Sequence, residues 1–404
     1  MDSGPWLPVP PSGYGGLENV VATLTTELRA RGHTVVLAAP GDSPLPVDGL
    51  VSAFPAGRFD RLGAPYAHVV GTAHAHALVV AEALTSAAEP FDLVHTHLEV
   101  VGPALLGALG PAAPPVLHTL HWDVRRNADF YERFDGRGRV FFAGVSDSQV
   151  ARGPERMRRQ TLGAVPLSVP VDGRPPLPRE ERDDAVLVLA RLCELKGTDT
   201  AVRAAAAAGV PVVLAGPVGP LADRAALDAA LAVPGHPALG HPDVAWFREH
   251  VAPLLDGDRA RWVGSVAGEA KADLLRRARA LLSPVRWDEP GATAVCEALA
   301  AGTPVVATPR GCLPTLVDDG RTGFLADDEA GLAAALRRVG TLDPRACAEE
   351  GRRRFAPAVM AAAYERLYGE VLRRAAQASS RTRDPVLADS ATATARRWVR
   401  SASA

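Results

Sequence analysis

The sequence predicts an α/β protein made of two parallel-sheet domains that face one another across a cleft. Three observations carry this. Short apolar runs that read as buried strands alternate with stretches of helical periodicity, the pattern of a parallel sheet with helical crossovers. That pattern restarts after a proline-rich, charged segment, SVPVDGRPPLPREERDD (168–184). The 404 residues exceed one ordinary core and suit two domains of roughly 150–200 residues each.

The elements follow in order. LENVVATLTTELRAR (17–31) has apolar positions at helical spacing and stops at Gly32. HTVVLAAP (33–40), DLVHTH (92–97), PPVLHTLH (114–121) and VFFAGVS (140–146) read as strands. After the connecting segment, AVLVLAR (185–191) opens the second half. GVPVVLAGP (209–217), RARALLSPV (277–285, a helix end into a strand) and GTPVVATP (302–309) continue it. Residues 1–168 and 169–356 are therefore expected as two Rossmann-like domains. Residues 357–374 form a C-terminal helix that packs back towards the first domain. The Ser/Thr/Ala-rich stretch 375–404 is expected to be disordered. Ligands of such sheets lie beyond the C-terminal strand ends, which here means the interdomain cleft.

Composition excludes several classes. A formal charge of −2 gives no case for nucleic acid or an acidic membrane surface. No apolar stretch reaches the roughly 18 residues of a membrane span, although peripheral membrane contact stays open. The N-terminus lacks the basic and apolar regions of a signal peptide. The four cysteines show no C-x-x-C spacing and read as reduced, buried thiols of a cytoplasmic protein. Only two of the 44 basic residues are lysines, Lys196 and Lys271, so a lysine is more informative here than an arginine.

The stretch WDEPGATAVCEALAAGTPVVAT places Glu289 before a Pro-Gly turn and Glu297 inside the helix that follows. A helix N-terminus offers free N–H groups to an anion. Small residues Gly291, Ala292 and Thr293 allow close approach, and carboxylates accept hydrogen bonds from sugar hydroxyls. A surface helix with two incidental glutamates is the plain alternative. Arg191 and Lys196, in LARLCELKG, follow a strand end, where phosphate binders belong in this fold; an exposed basic loop would look the same. SGYGGLE (12–18) precedes the first helix but lacks the spacing of a dinucleotide fingerprint. The histidines at 73–77, 95/97 and 118/121 lack carboxylate companions for a closed metal set. No G-x-S-x-G elbow appears.

Taken together, GYGGLENVV, the DLVHTH and HTLH strand ends, AGVSDS, LARLCELKG, RWVGSV (261–266), EPGATAVCEALAAGTPVVAT and DDGRTGFL (318–325) resemble the retaining glycosyltransferases of family 4, which have the two-domain GT-B fold. EPGAT and GCLP look most like antibiotic-type sugar transferases of actinomycetes. The resemblance implies a hexosyl transfer from a nucleotide-diphosphate sugar to a hydroxyl of a small molecule or glycan, by front-face displacement, with no catalytic metal and no cofactor beyond the co-substrate. It implies that Arg191 and Lys196 hold the diphosphate, that Glu289 reads the donor sugar, and that His121 sits near the reacting sugar. Gly15, Gly16, Val263, Gly264, Val266, Gly291, Ala292, Thr293 and Glu297 would bind the donor, with Glu297 on the ribose. Glu18 and His97 would face the acceptor. Lys271, in the charged stretch GEAKADLLRRAR, is expected to matter little.

One departure stands out. Family members open with a full strand before the Gly-Gly loop, whereas MDSGPWLPVPPS has four prolines and no apolar run. No regular central strand is expected from residues 1–12, leaving the sheet one strand short with an exposed groove. A non-catalytic or impaired sugar-nucleotide-binding protein is the competing reading. An epimerase or phosphorylase on the same fold is a third.

Overall fold

Parallel strands buried on both faces read as near-continuous apolar runs, and the central strands of the second half of the chain do so. The computed structural model describes residues 1–13, 15–170 and 173–382. Strands β1 (Val36–Ala38), β2 (Gly49–Val51), β3 (Val94–Thr96), β4 (Val116–Thr119), β5 (Val140–Gly144) and β6 (Thr161–Ala164) belong to the first domain. Strands β7 (Val186–Leu189), β8 (Val212–Ala215), β9 (Ala260–Trp262), β10 (Leu281–Ser283), β11 (Val305–Ala307) and β12 (Gly323–Leu325) belong to the second. The second sheet is wholly parallel in the order β12-β11-β10-β7-β8-β9. Val186, Val188, Val212 and Leu214 fill one of its faces, and Leu187, Val213 and Ala215 the other. That two-residue alternation gives one core on each side of the sheet.

The first domain holds parallel ladders β1-β2 and β3-β4-β5-β6. The gap between them is filled, contrary to the expected exposed groove. Residues 1–3 run between β1 and β3, and Asp2 bridges Ala38 on one side and Thr96 on the other. Ala38 N–H donates to Met1 O at 2.7 Å and Ser3 N–H to Ala38 O at 3.0 Å. On the other side, Asp2 N–H donates to His95 O and His97 N–H to Asp2 O, both at 2.8 Å. The run is too short to read as a strand in sequence, because the prolines begin at Pro5. Its side chain is held polar: the buried Asp2 carboxylate accepts from Thr96 Oγ1 at 2.6 Å and lies 2.8 Å from His76 Nε2.

The last helix, Pro357–Thr382, packs Met360, Ala361, Tyr364 and Val371 against Val20, Leu24 and Leu28 of helix Gly16–Ala30. Tyr364 and Tyr368 hydroxyls meet Thr119 Oγ1 at 3.0 Å and His95 Nδ1 at 2.8 Å. Residues 375–382 are thus helical rather than disordered; 383–404 lie outside the described residues. All four cysteines are buried and unpaired. Among the described residues, no helix is long and apolar enough to cross a membrane.

Candidate active site

Strand ends of the two sheets define a cleft of about 370 Å³ between the domains. From the first domain, Gly13, Gly15, Gly16, Leu17, Asn19, Val20, His121, Trp122, Arg126 and Leu167 line it. From the second, the loop after β7 brings Arg191 and Lys196, and the loop after β10 brings Trp287, Glu289 and the start of helix Thr293–Ala300.

Charge pairing organises the cleft. Lys196 Nζ donates to Glu289 Oε2 at 2.5 Å, and Trp287 Nε1–H donates to the same oxygen at 2.8 Å. The ammonium lies 5.2 Å from the Trp287 ring centroid, within cation–π range. Lys271 Nζ donates to Glu297 Oε1 at 2.6 Å. Both lysines of the chain therefore sit in the cleft, each on one of the two glutamates. Lys271 was expected to matter little as part of a charged surface helix, but helix Gly268–Arg277 turns this side chain into the cleft. Arg191 lines the same wall with its Nε 3.4 Å from Asp243 Oδ2.

Helix Thr293–Ala300 starts at Ala292 in the left-handed region, with no side-chain cap. Its first-turn N–H groups are the orphan donors of a helix N-terminus, which suit an anion. Two glycines set this loop. Gly311 has φ +62°, and a Cβ there would lie 2.2 Å from Glu289 N, so only glycine lets the GCLP turn back onto the Glu289 peptide. Gly291 meets the first domain: a Cβ there would lie 2.5 Å from Leu167 Cδ1. Beside it, Asp288 accepts from Arg125 and Arg152 of the first domain, each at 3.1 Å.

On the opposite wall, His121 lies 2.8 Å from His97 Nδ1 through its Nε2. Burial, together with neighbouring His118, lowers the His121 pKa to about 3, so the ring is neutral. Gln149, itself buried, donates to Leu120 O at 2.9 Å and Trp122 O at 2.7 Å, fixing the loop that carries both side chains.

The structure gathers most of the residues singled out from sequence. Arg191, Lys196, Glu289, His121, Gly15, Gly16, Val266, Gly291, Ala292, Thr293 and Glu297 all line the cleft. Four do not. Val263 packs into the sheet core and Gly264 turns against Asp223, leaving Ser265 and Val266 to face the cleft. His97 is 2% exposed, wedged between His95 and His121, and supports the latter rather than meeting a ligand. Glu18 is 6% exposed beneath the glycine turn, its Oε2 3.0 Å from where a Gly15 Cβ would stand. Sequence reasoning missed Trp122, Arg126, Ser265, Lys271 and Trp287. For Lys271 the signal was present in the scarcity of lysine.

The chain is similar to known proteins. Residues 173–354 match the family model "Glycosyl transferases group 1", and residues 14–149 match "Glycosyltransferase Family 4". A D-inositol 3-phosphate glycosyltransferase of Acidothermus cellulolyticus is 31% identical over 301 residues, 72% of this chain and 57% of that protein. The chain thus spans under two thirds of that relative's length. A phosphatidyl-myo-inositol mannosyltransferase of Mycobacterium leprae is 27% identical across 88% of this chain and 93% of its own. Among solved structures, AviGT4, a glycosyltransferase involved in avilamycin A biosynthesis, superposes with TM-score 0.63 at 24% identity over 92% of this chain and 96% of its own. Anabaena HepE in complex with UDP-glucose superposes with TM-score 0.60 at 17% identity, covering 89% and 97%. These likenesses identify the architecture as the GT-B fold, two Rossmann-like domains around a cleft.

Proposed function

The chain belongs to the group 1 and family 4 glycosyltransferases, and from that premise we propose that it transfers a hexosyl group from a nucleotide-diphosphate sugar to an acceptor hydroxyl with retention at the anomeric carbon. The observation that carries the reading is the pairing of Lys196 with Glu289 and of Lys271 with Glu297 along one cleft wall. An ammonium has three donors. Each lysine commits one to its glutamate and keeps two for phosphate or hydroxyl oxygens. Each glutamate keeps an oxygen for sugar or ribose hydroxyls.

In the proposed reaction the acceptor oxygen forms a bond to the anomeric carbon as the bond from that carbon to the diphosphate oxygen breaks. The acceptor proton passes to the leaving phosphate oxygen on the same face. Lys196, Arg191 and the first-turn amides of helix Thr293–Ala300 stabilise the charge that grows on the diphosphate. They supply this in place of a catalytic metal. His121, neutral by burial, meets hydroxyls without adding charge. The UDP-glucose bound by Anabaena HepE makes UDP-sugars the first donors to try.

The competing reading of an impaired binding protein rested on a missing central strand. Residues 1–3 occupy that place, so no observation favours it. A thermal-shift screen of UDP-, GDP- and dTDP-sugars, followed by radiolabelled turnover of whichever donor stabilises the protein, tests the proposal. Stabilisation by one nucleotide family and release of its diphosphate are expected. Stabilisation by none would overturn it.

A further inference from the structure

We propose that Trp122 and Arg126 form the acceptor subsite and that it takes a phosphorylated polyol ring. This rests on the reading of the cleft as a glycosyl-transfer site. Among the described residues that line the cleft from the first domain, Arg126 carries the one fixed charge. The others are glycines, Leu17, Val20 and Leu167, the amide Asn19, neutral His121, and Trp122.

The neighbouring arginines are already matched. Arg125 pairs with Asp123 at 2.7 Å and Asp288 at 3.1 Å, and Arg152 with Asp288. Arg126 has no carboxylate within ion-pairing distance among the described residues, although its charge is felt by Asp123; its guanidinium carbon lies 6.0 Å from the Trp122 ring centroid. That separation is the outer limit of a cation–π interaction, so the guanidinium keeps its donors for a planar, bidentate partner such as phosphate.

Trp122 is 45% exposed, an unusual state for an indole unless something covers it. Gln149 anchors its carbonyl, which holds the base of the side chain at the cleft wall. The apolar C–H face of a polyol ring fits such a surface, while its hydroxyls reach His121 one residue away. A neutral aromatic acceptor would use the platform and leave Arg126 idle. A phosphorylated polyol uses both.

The test is calorimetric titration of the full chain, first with UDP and then, with UDP bound, with D-inositol 3-phosphate, myo-inositol, inorganic phosphate and vesicles containing phosphatidylinositol. The soluble and vesicle arms distinguish a free phosphate ester from a lipid headgroup, and tighter binding of either than of myo-inositol and inorganic phosphate supports the subsite. The phosphorylated ring should bind the wild type at least about 10-fold more tightly than myo-inositol. Arg126→Gln should erase that preference, and Trp122→Ala should weaken both polyols, with Trp122→Phe restoring most of the loss. UDP binding should be unchanged in all three variants. Equal binding of charged and neutral rings by the wild type would overturn the proposal, as would a preference that survives Arg126→Gln or a loss of UDP binding in that variant. Failure of UDP to bind the wild type would instead strike the donor reading.

Discussion

Lys271 and Glu297 meet at 2.6 Å with both side chains largely covered, so removing the ammonium leaves a carboxylate short of its partner beside the proposed nucleotide site. Lys271→Ala is expected to weaken nucleoside-diphosphate binding about 10-fold, as one lost charge-assisted hydrogen bond would. Calorimetry reads this directly, and unchanged affinity would return Lys271 to the surface role its charged helix suggests. Glu18 gives a second expectation at this scale. Burial raises its carboxyl pKa from 4.5 to about 7, and the described residues offer it no donor beyond its own backbone. The folded protein therefore keeps the carboxyl protonated between those values while the unfolded chain has released the proton. Stability from this group is complete below pH 4.5 and is lost as pH rises through 7, on the order of 3 kcal/mol. Glu18→Gln should accordingly raise Tm at pH 8 and leave it nearly unchanged at pH 4; equal shifts at both would contradict the burial argument. Cleft positions were legible where residue type and strand end coincide, as with Lys196 and Glu289. It was misread for Glu18 and His97, because sequence proximity to a cleft does not say which way a side chain turns.

Among the elements, central strands were readable and edge strands were not. The strands expected from apolar runs correspond to β1, β3, β4, β5, β7, β8, β10 and β11. The four unforeseen strands, β2, β6, β9 and β12, lie at the outer edges of the two sheets. An edge strand is covered on fewer sides, so it need not be a continuous apolar run; β2 alternates half-buried with exposed and β6 is half-buried throughout. Residues 1–3 were unreadable for another reason: a three-residue central segment whose buried side chains are an aspartate and a serine lacks any apolar signature. The GCLP turn was noted for resemblance only, yet it presses Gly311 onto the backbone of Glu289. Gly311→Ala must move that peptide or strain its own, a cost of about 1–3 kcal/mol. A Tm fall of several degrees together with a larger drop in kcat than in donor affinity is expected. A variant as stable and as active as the wild type would show the contact to be slack.

At the scale of the whole molecule, the domains meet where the loop after β10 enters the cleft. Asp288 takes one arginine of the first domain on each carboxylate oxygen, and the next residue is Glu289. The pairs are a third to a half exposed, so each is weak and screened by salt. Asp288→Asn should cut kcat/KM roughly 3–5-fold in low salt and converge on the wild type near 1 M salt; a salt-independent deficit would argue against an electrostatic clamp. The central claim, that paired lysines and glutamates hold a nucleotide-diphosphate sugar for retaining transfer, has a direct measurement that needs no acceptor. Proton nuclear magnetic resonance follows the slow transfer of the sugar from the screened α-linked donor to water, at enzyme concentrations where release outruns mutarotation. The α-anomer should appear first, and Lys196→Ala should slow its release on the order of 100-fold. First release of the β-anomer, or an undiminished rate in Lys196→Ala, would contradict it.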